Sequence, residues 1–560
     1  MPQKPVFKKA PVLTVPHCFP SNGTIRTADP RIEKLYQKAG AYVQEPCLWE
    51  GLFRLACLLK NRPAQEPVSA LITEAAAESE SGAFPGSIGE QVSTARAAFA
   101  LFEYNTDRSI LRRIAQWLRF LEIDFEQLSQ QDYLLYRPAD LMELLIRYYR
   151  VTGVRSVLRI CAKLRASAFD WTTALHTFQQ SIPIRFENGG FAELKFAPKP
   201  EEMEYDEKEK LINHAVMLAD GVRFSTFAGL FSGHKQDLTS GRTVWNYLAR
   251  HHRALCGGTS ADPYLCGCSA DREISNLALA AWTEAFAAQM ILPDSEWATD
   301  ELVRIVYNGL ADCLNRENVA TAQKMNTFGK ADDSGSVSAE LYARLTRAAA
   351  RAYSHTVTLT EEGIRINYLL DCRCLAMIQK TPVILHMTDR SVRFECKKPF
   401  SAPVDLFIPR TQTSRAAMVR GAGITVRNNR ENDPETGSYL HTEETWADGF
   451  GFDFEESGRI LCEETHHQGV CFFHDNRLLS LKAEKNQYAF IALEEPKWKN
   501  GKILISTGRA SGWKTKGKDP ADIPVLPEAC EPVTEGTMTP YAETCARITM
   551  FPRAKDACLK

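Results

Sequence analysis

The chain has 560 residues, a formal net charge of −2 and sixteen cysteines. Near-neutrality leaves no electrostatic footprint for nucleic acid or an anionic membrane, and no run of roughly eighteen apolar residues offers a spanning helix. The length calls for two or more packed units, and cysteines without a repeating frame read as reduced, mostly buried thiols.

Residues 1–30 are rich in proline and turn formers and read as an extended N-terminal arm. Their start, MPQKPVFKKAPVLTVPHCF, is basic but lacks the continuous apolar stretch of a secretory signal, so a soluble, cytoplasmic protein is expected. Helical periodicity then takes over. Over 31–59, Leu35, Tyr36, Ala39, Tyr42 and Val43, followed by Trp49, Leu52, Phe53, Ala56 and Cys57, fall on one face. Further helices are predicted over 66–77, 91–104, 108–122, 138–151, 153–168 and 170–179. Asp107 stands at an N-cap position, and Gly153 follows the last apolar turn of its helix as a C-terminal cap does.

The stretch 180–210 contains Gly189-Gly190, Pro198, Pro200 and the acidic run Glu201 to Glu209, and reads as a long surface loop. Helices resume over 213–231, 241–256, 273–290, 299–315 and 338–354, about twelve in all by periodicity. Beyond Tyr353 the period drops to two. Thr356-Val-Thr-Leu-Thr360, Val392-Arg-Phe-Glu-Cys396 and Val404-Asp-Leu-Phe-Ile408 alternate polar and apolar residues as half-buried strands do, and more such runs follow between turn residues. The fold class expected is multidomain, α then β: an (α/α)6 toroid over 31–352, an antiparallel β-sandwich over 353–520, and a segment over 521–560 returning to the sandwich. By fold-level analogy this succession suits enzymes that act on sugars.

Several segments, in order, resemble glycoside hydrolase family 127, the β-L-arabinofuranosidase group. Tyr133-Leu-Leu-Tyr-Arg-Pro-Ala-Asp-Leu-Met-Glu143 is similar to the family's E-L-Y-C-A-G-H-L-I-x-A helix start, and His214-Ala-Val216 to its G-H-A-V-R segment. Gly257-Gly-Thr259, Arg272-Glu-Ile-Ser275 and Arg304-Ile-Val-Tyr-Asn-Gly-Leu310 are similar to its G-G-x loop, E-T-C helix and R-A-L-Y-N-G-V segment. Leu406-Phe-Ile-Pro409, Gly437-Ser-Tyr-Leu440 with Trp446-Ala-Asp-Gly449, and Pro540-Tyr541 with Ile548 to Pro552 match its strand motifs. The resemblance implies a helical barrel followed by strands, and a glycosidase.

The departures fall on the chemistry. In the family a zinc held by three cysteines and a glutamate positions a cysteine nucleophile. Here the corresponding triplet is Glu273-Ile274-Ser275, and the paired cysteines fall near Ser336-Val337. Glu543-Thr544-Cys545 lies in the last strand region instead. A family histidine becomes Asp140, and Asp262 is the nearest carboxylate in the shortened loop after the G-G-x turn. No metal and no cofactor are therefore expected.

Carboxylate catalysis remains, because glycosidic cleavage needs an acid for the leaving oxygen and a base or nucleophile opposite. By resemblance Glu273, Asp262 and Asp140 map around one cavity mouth, with Tyr136, Arg137, His214 and Arg223 as substrate-binding residues. Asp140 and Asp262 equally suit helix caps or turns, Arg137 a surface ion pair, and His214 a hydrogen-bonded core position. Cys372-Arg-Cys374 suits packing on one strand face. Cys266-Gly-Cys268 is tighter than structural zinc pairs, although Cys256 and Glu273 could complete a different set with it. The adjacent His466-His467 project differently in a strand and make weak ligands together. The partner expected is a small carbohydrate, with self-association left open. A lyase acting on a uronic acid, with His214 as base and Arg137 or Arg223 facing the carboxylate, is the alternative enzyme; a degenerate sugar-binding protein is the non-enzymatic one.

Overall fold

A computed structural model describes residues 25–558 apart from 61, 78–80, 182–183, 188–189, 194–201, 204–206, 262, 269, 271, 328–336, 361–362, 421–422, 427–436, 457, 466–468, 483–489, 511–529 and 545. The expectations placed on Asp262, on His466-His467 and on most of the N-terminal arm lie outside the described residues.

Six long helices form the centre of the first part: α1 (Pro46–Leu58), α2 (Ile88–Asn105), α3 (Ala139–Thr152), α4 (Ala215–Ser232), α5 (Asn276–Gln289) and α6 (Ala339–Ser354). Each packs on the next in this order, and α6 packs back on α1, so the six close a ring. The remaining helices, among them Arg108–Ile123, Ser156–Ser167 and Lys235–His251, pack outside it.

Local sequence sets the ends of these helices. Pro46 opens α1, where its missing N–H costs no hydrogen bond. Ser87 caps α2 and exchanges hydrogen bonds with Glu90. Gly153 ends α3 at φ 68°, and its N–H donates to the Tyr149 carbonyl at 2.7 Å. Asp107 caps Arg108–Ile123 by accepting from the Ser109 N–H at 2.8 Å. Ring closure depends on a small residue. A Cβ on Gly51 of α1 would stand 2.0 Å from Thr346 Oγ1 of α6.

Two stretches differ from the periodicity reading. Within 180–210 the chain forms a three-stranded antiparallel sheet from Ile184–Glu187, Gly190–Glu193 and Glu202–Met203, pairing Ile184 with Glu193 and Phe186 with Phe191. Alternating Ile184 and Phe186 ahead of Asn188-Gly189 is a hairpin signal that the acidic run and prolines outweighed. The single helix predicted over 299–315 is three: Glu296–Arg304, a π-helical turn Ile305–Leu310, and Ala311–Asn315. The turn places Asn308 so that its amide donates to Asn476 O at 3.0 Å and its Oδ1 accepts from Leu478 N at 2.7 Å.

After Ser354 the chain forms sheets. A seven-stranded sheet and a four-stranded sheet meet through Phe394 and Phe452 of the first and Phe400 and Trp446 of the second, with ring centroids 4.9–5.7 Å apart. Ile25–Arg26 pairs antiparallel with Cys372–Ile378 and ties the beginning of the described chain to this sheet. Cys372 and Cys374 are buried on one face of that strand. From Leu461 onward a separate nine-stranded sheet forms, with its own core of Val470, Phe472, Leu479, Ile505, Ile548 and Phe551. The last described strands, Cys530–Pro540, Arg547–Ile548 and Phe551–Cys558, belong to it. Cys471, Phe473, Leu478, Tyr541 and Met550 bury it against Leu255, Cys256, Leu279 and Met325 of the helical part. Among the described residues no helix is long and apolar enough to cross a membrane.

Candidate functional site

Every ring helix sends charge into the ring. Glu50 and Arg54 come from α1, Arg96 and Glu103 from α2, and Asp140, Glu143 and Arg147 from α3. Asp220 and Arg223 come from α4, Glu284 from α5, and Arg344, Arg347 and Arg351 from α6. The spacings are three, four or seven residues, which keeps each helix's charges on one face.

These groups neutralise one another. Asp140 bonds Arg96 and Arg223 and lies 3.9 Å from Arg347. Arg223 also reaches Asp220 at 3.3 Å, Glu143 at 3.5 Å and Glu284 at 3.2 Å. Glu284 receives Arg344 and Arg347, each at 3.1 Å. Burial alone would push the Asp140 carboxyl up, but the guanidiniums of Arg96, Arg223 and Arg347 outweigh it and hold the group well below the usual carboxylate range. Asp140 is therefore a fixed anion near neutral pH and cannot serve as the proton donor. It does not cap its helix either; Pro138 holds that position.

Above this network lie the N-terminal ends of the ring helices. His214 precedes α4 at the cap position, Glu340 sits in the first turn of α6, and Arg137 lies just before α3. Arg137 bonds Glu340, so the surface-pair reading holds for one of its contacts. It stands close enough to His214 to disfavour protonation of the ring: burial lowers the His214 pKa, Arg137 lowers it further, and Asp220 and Glu340 oppose both. The His214 ring meets Tyr264 edge to face at 5.3 Å, and its Nδ1 is buried without a hydrogen bond among the described residues. Tyr136 is half-buried at the end of the short helix Asp132–Tyr136. Arg137, Asp140, His214 and Arg223 thus belong to one assembly.

Glu273 stands apart from it. Its side chain is 44% exposed and pairs with Lys324 at 3.3 Å. Its backbone is nonetheless in the loop layer that leads to His214, since the Ala261 N–H donates to the Glu273 carbonyl and Ala215 N–H donates to that of Pro263. Sequence reasoning passed over Glu50, Arg96, Glu284, Arg344, Arg347 and Arg351. Their signal was available: Glu284 is the lone charge in NLALAAWTEAFAAQ, and the three arginines recur at helical spacing among alanines.

No family model and no curated protein matches this sequence. Solved structures do match. A chain described as a glycoside hydrolase gives a TM-score of 0.68 at 12% identity, over 96% of this chain and 97% of that one. A family 127 β-L-arabinofuranosidase from Geobacillus stearothermophilus T6 gives 0.64 at 13% identity, over 93% and 91%. A second family 127 β-arabinofuranosidase gives 0.64 at 12% identity, over 98% and 99%. This chain has the fold of family 127.

The family 127 resemblance implies zinc, and the residues present do not suit it. Ser275 replaces the thiol and caps α5 instead, accepting from Ala278 N at 3.5 Å. The Cys266 Sγ donates to the Glu273 carbonyl at 3.6 Å. Among the described residues no group of three or more histidine, cysteine or carboxylate side chains is placed to hold a metal ion.

Proposed function

We propose that the protein is a glycoside hydrolase-like enzyme that cleaves a small glycoside or oligosaccharide in the hollow of its helical ring, using carboxylates and no metal. The ring is read as an (α/α)6 toroid, and the facing seven- and four-stranded sheets as its β-sandwich. The observation that carries the reading is that Arg137 and His214, at the N-terminal ends of ring helices, stand by the buried Asp140–Arg223 pair, in a chain with the family 127 fold.

Cleavage passes through an oxocarbenium-like state in which positive charge develops on the sugar. Asp140, locked as an anion by its arginines, supplies the opposing charge. Arg137, Tyr136 and His214 hold the sugar's hydroxyls at the rim. Glu273, the candidate carboxylate outside the arginine network, is the proposed donor of the proton for the leaving oxygen, a role that requires it to leave Lys324 and turn toward the ring; Asp262 is the second candidate carboxylate. Glu273→Gln is expected to lower reducing-sugar release by about 10²–10⁴-fold without moving the melting temperature. Undiminished release by that variant removes Glu273 from the mechanism.

A second reading is favoured by His214 itself. A ring held neutral, with an unbonded Nδ1, beside Arg137, suits proton abstraction next to a uronic acid carboxylate, that is, a lyase. New ultraviolet absorbance from an unsaturated product identifies that reaction; reducing sugar without it identifies hydrolysis.

A further inference from the structure

A cavity lies where the seven-stranded sheet, the nine-stranded sheet and the π-helical turn meet. It encloses about 310 Å³, at the lower end of the roughly 300–1,000 Å³ typical of small-ligand pockets. Tyr307, Phe454 and Ile503 contribute apolar lining, and Asp389, Arg477 and Lys502 contribute charge.

One wall is Trp498. The strand Lys497–Lys499 turns at Asn500-Gly501, with φ of 53° and 73°, and pairs back so that Trp498 faces Ile503. A tight hairpin of this kind holds the indole in place while leaving it 38% exposed. On one side the indole stacks on His474, with centroids 5.0 Å apart and planes 21° apart. His474 is only 7% exposed, lines the same cavity, and its Nε2 has no hydrogen-bond partner among the described residues. A buried ring nitrogen without a partner is costly to keep, so its retention next to an exposed tryptophan points to a ligand.

We propose that this cavity is a second saccharide-binding site, separate from the ring. An exposed indole face accepts the C–H face of a sugar ring. The Asp389–Arg477 pair, at 2.9 Å, and Lys502 border it with donors and acceptors suited to vicinal hydroxyls. The site anchors one end of an oligosaccharide while the ring acts on another; the choice of sugar as ligand rests on the carbohydrate reading of the ring.

The test uses the full chain and two probes, arabinobiose and a galacturonate trimer, titrated calorimetrically and followed by tryptophan fluorescence. Wild-type protein is expected to bind at least one probe with a fluorescence change, and Trp498→Ala to lose that site, raising its Kd at least tenfold while circular dichroism stays unchanged. Trp498→Phe, which keeps an aromatic face, restores part of the affinity. Turnover of a small chromogenic glycoside is unaffected by either substitution. Absence of binding by both probes, or binding that Trp498→Ala leaves intact, overturns the inference. Binding dependent on Trp498 in a protein with no hydrolytic activity upholds this site and sinks the hydrolase reading alone.

Discussion

His355 shows how the arginine-rich interior acts on a single residue. It follows α6, is fully buried, and its Nδ1 lies 2.9 Å from the Arg351 carbonyl. Burial, then the Arg351 charge, depress its pKa to about 4. The unfolded chain takes up that proton near pH 6.5, so the contribution to stability is complete above about pH 6.5 and is lost as the pH falls toward 4. His355→Gln is expected to flatten the fall in melting temperature across that window; an unchanged slope contradicts the assignment. At this scale the sequence located Asp140 and His214 through their similarity to short family segments. It could not show Asp140 as a locked anion, because the three guanidiniums around it come from α2, α4 and α6, over 200 positions apart in sequence at the extremes. Glu273 matched a helix start, and the structure gives it a lysine and solvent.

Elements were read well where one periodicity ruled. The ring helix Ala139–Thr152 and the outer helix Arg108–Ile123 follow the apolar spacing, and Gly153 and Asp107 end or begin them as their chemistry requires. The small sheet inside 180–210 was missed because glycine, proline and charge dominate its composition while its strands are only two to four residues long. Contacts between elements leave only faint traces in sequence, and Gly51 is one. The α1–α6 seam closes on it, with Thr346 Oγ1 and Cβ 2.0 and 2.7 Å from where a Cβ would stand. Gly51→Ala is expected to destabilise the fold by about 1–3 kcal/mol through overpacking. The midpoint of denaturant unfolding reads it, and a variant as stable as wild type would mean that the seam can spread.

At the scale of the molecule, alternation marks strands but not which strands pair, and the strand order within the seven-, four- and nine-stranded sheets was not legible in the sequence. The nine-stranded sheet is joined to the rest at Glu463. That carboxylate meets Arg304 and Arg410, each at 2.8 Å, and Arg253 at 3.5 Å, thereby linking the new sheet to the helical part and to the segment after the strand Phe400–Ile408. Burial raises its pKa, but Arg304, Arg253 and Arg410 bring it down to about 2. The stabilisation is present above about pH 4.5 and lost as the pH falls toward 2. Glu463→Gln leaves three guanidiniums facing a neutral amide and is expected to cost about 3–5 kcal/mol. Hydrogen exchange should show it first in the strands Leu461–Glu464 and Gly469–His474; protection equal to wild type there contradicts the junction.

In the proposed hydrolase, acidic oxygens and not a thiolate on zinc perform the cleavage. Its most direct test is reducing-sugar release from a panel of small glycosides after exhaustive chelation. Release at the untreated rate is the predicted result. Release abolished by the chelator and restored by added zinc would contradict the account.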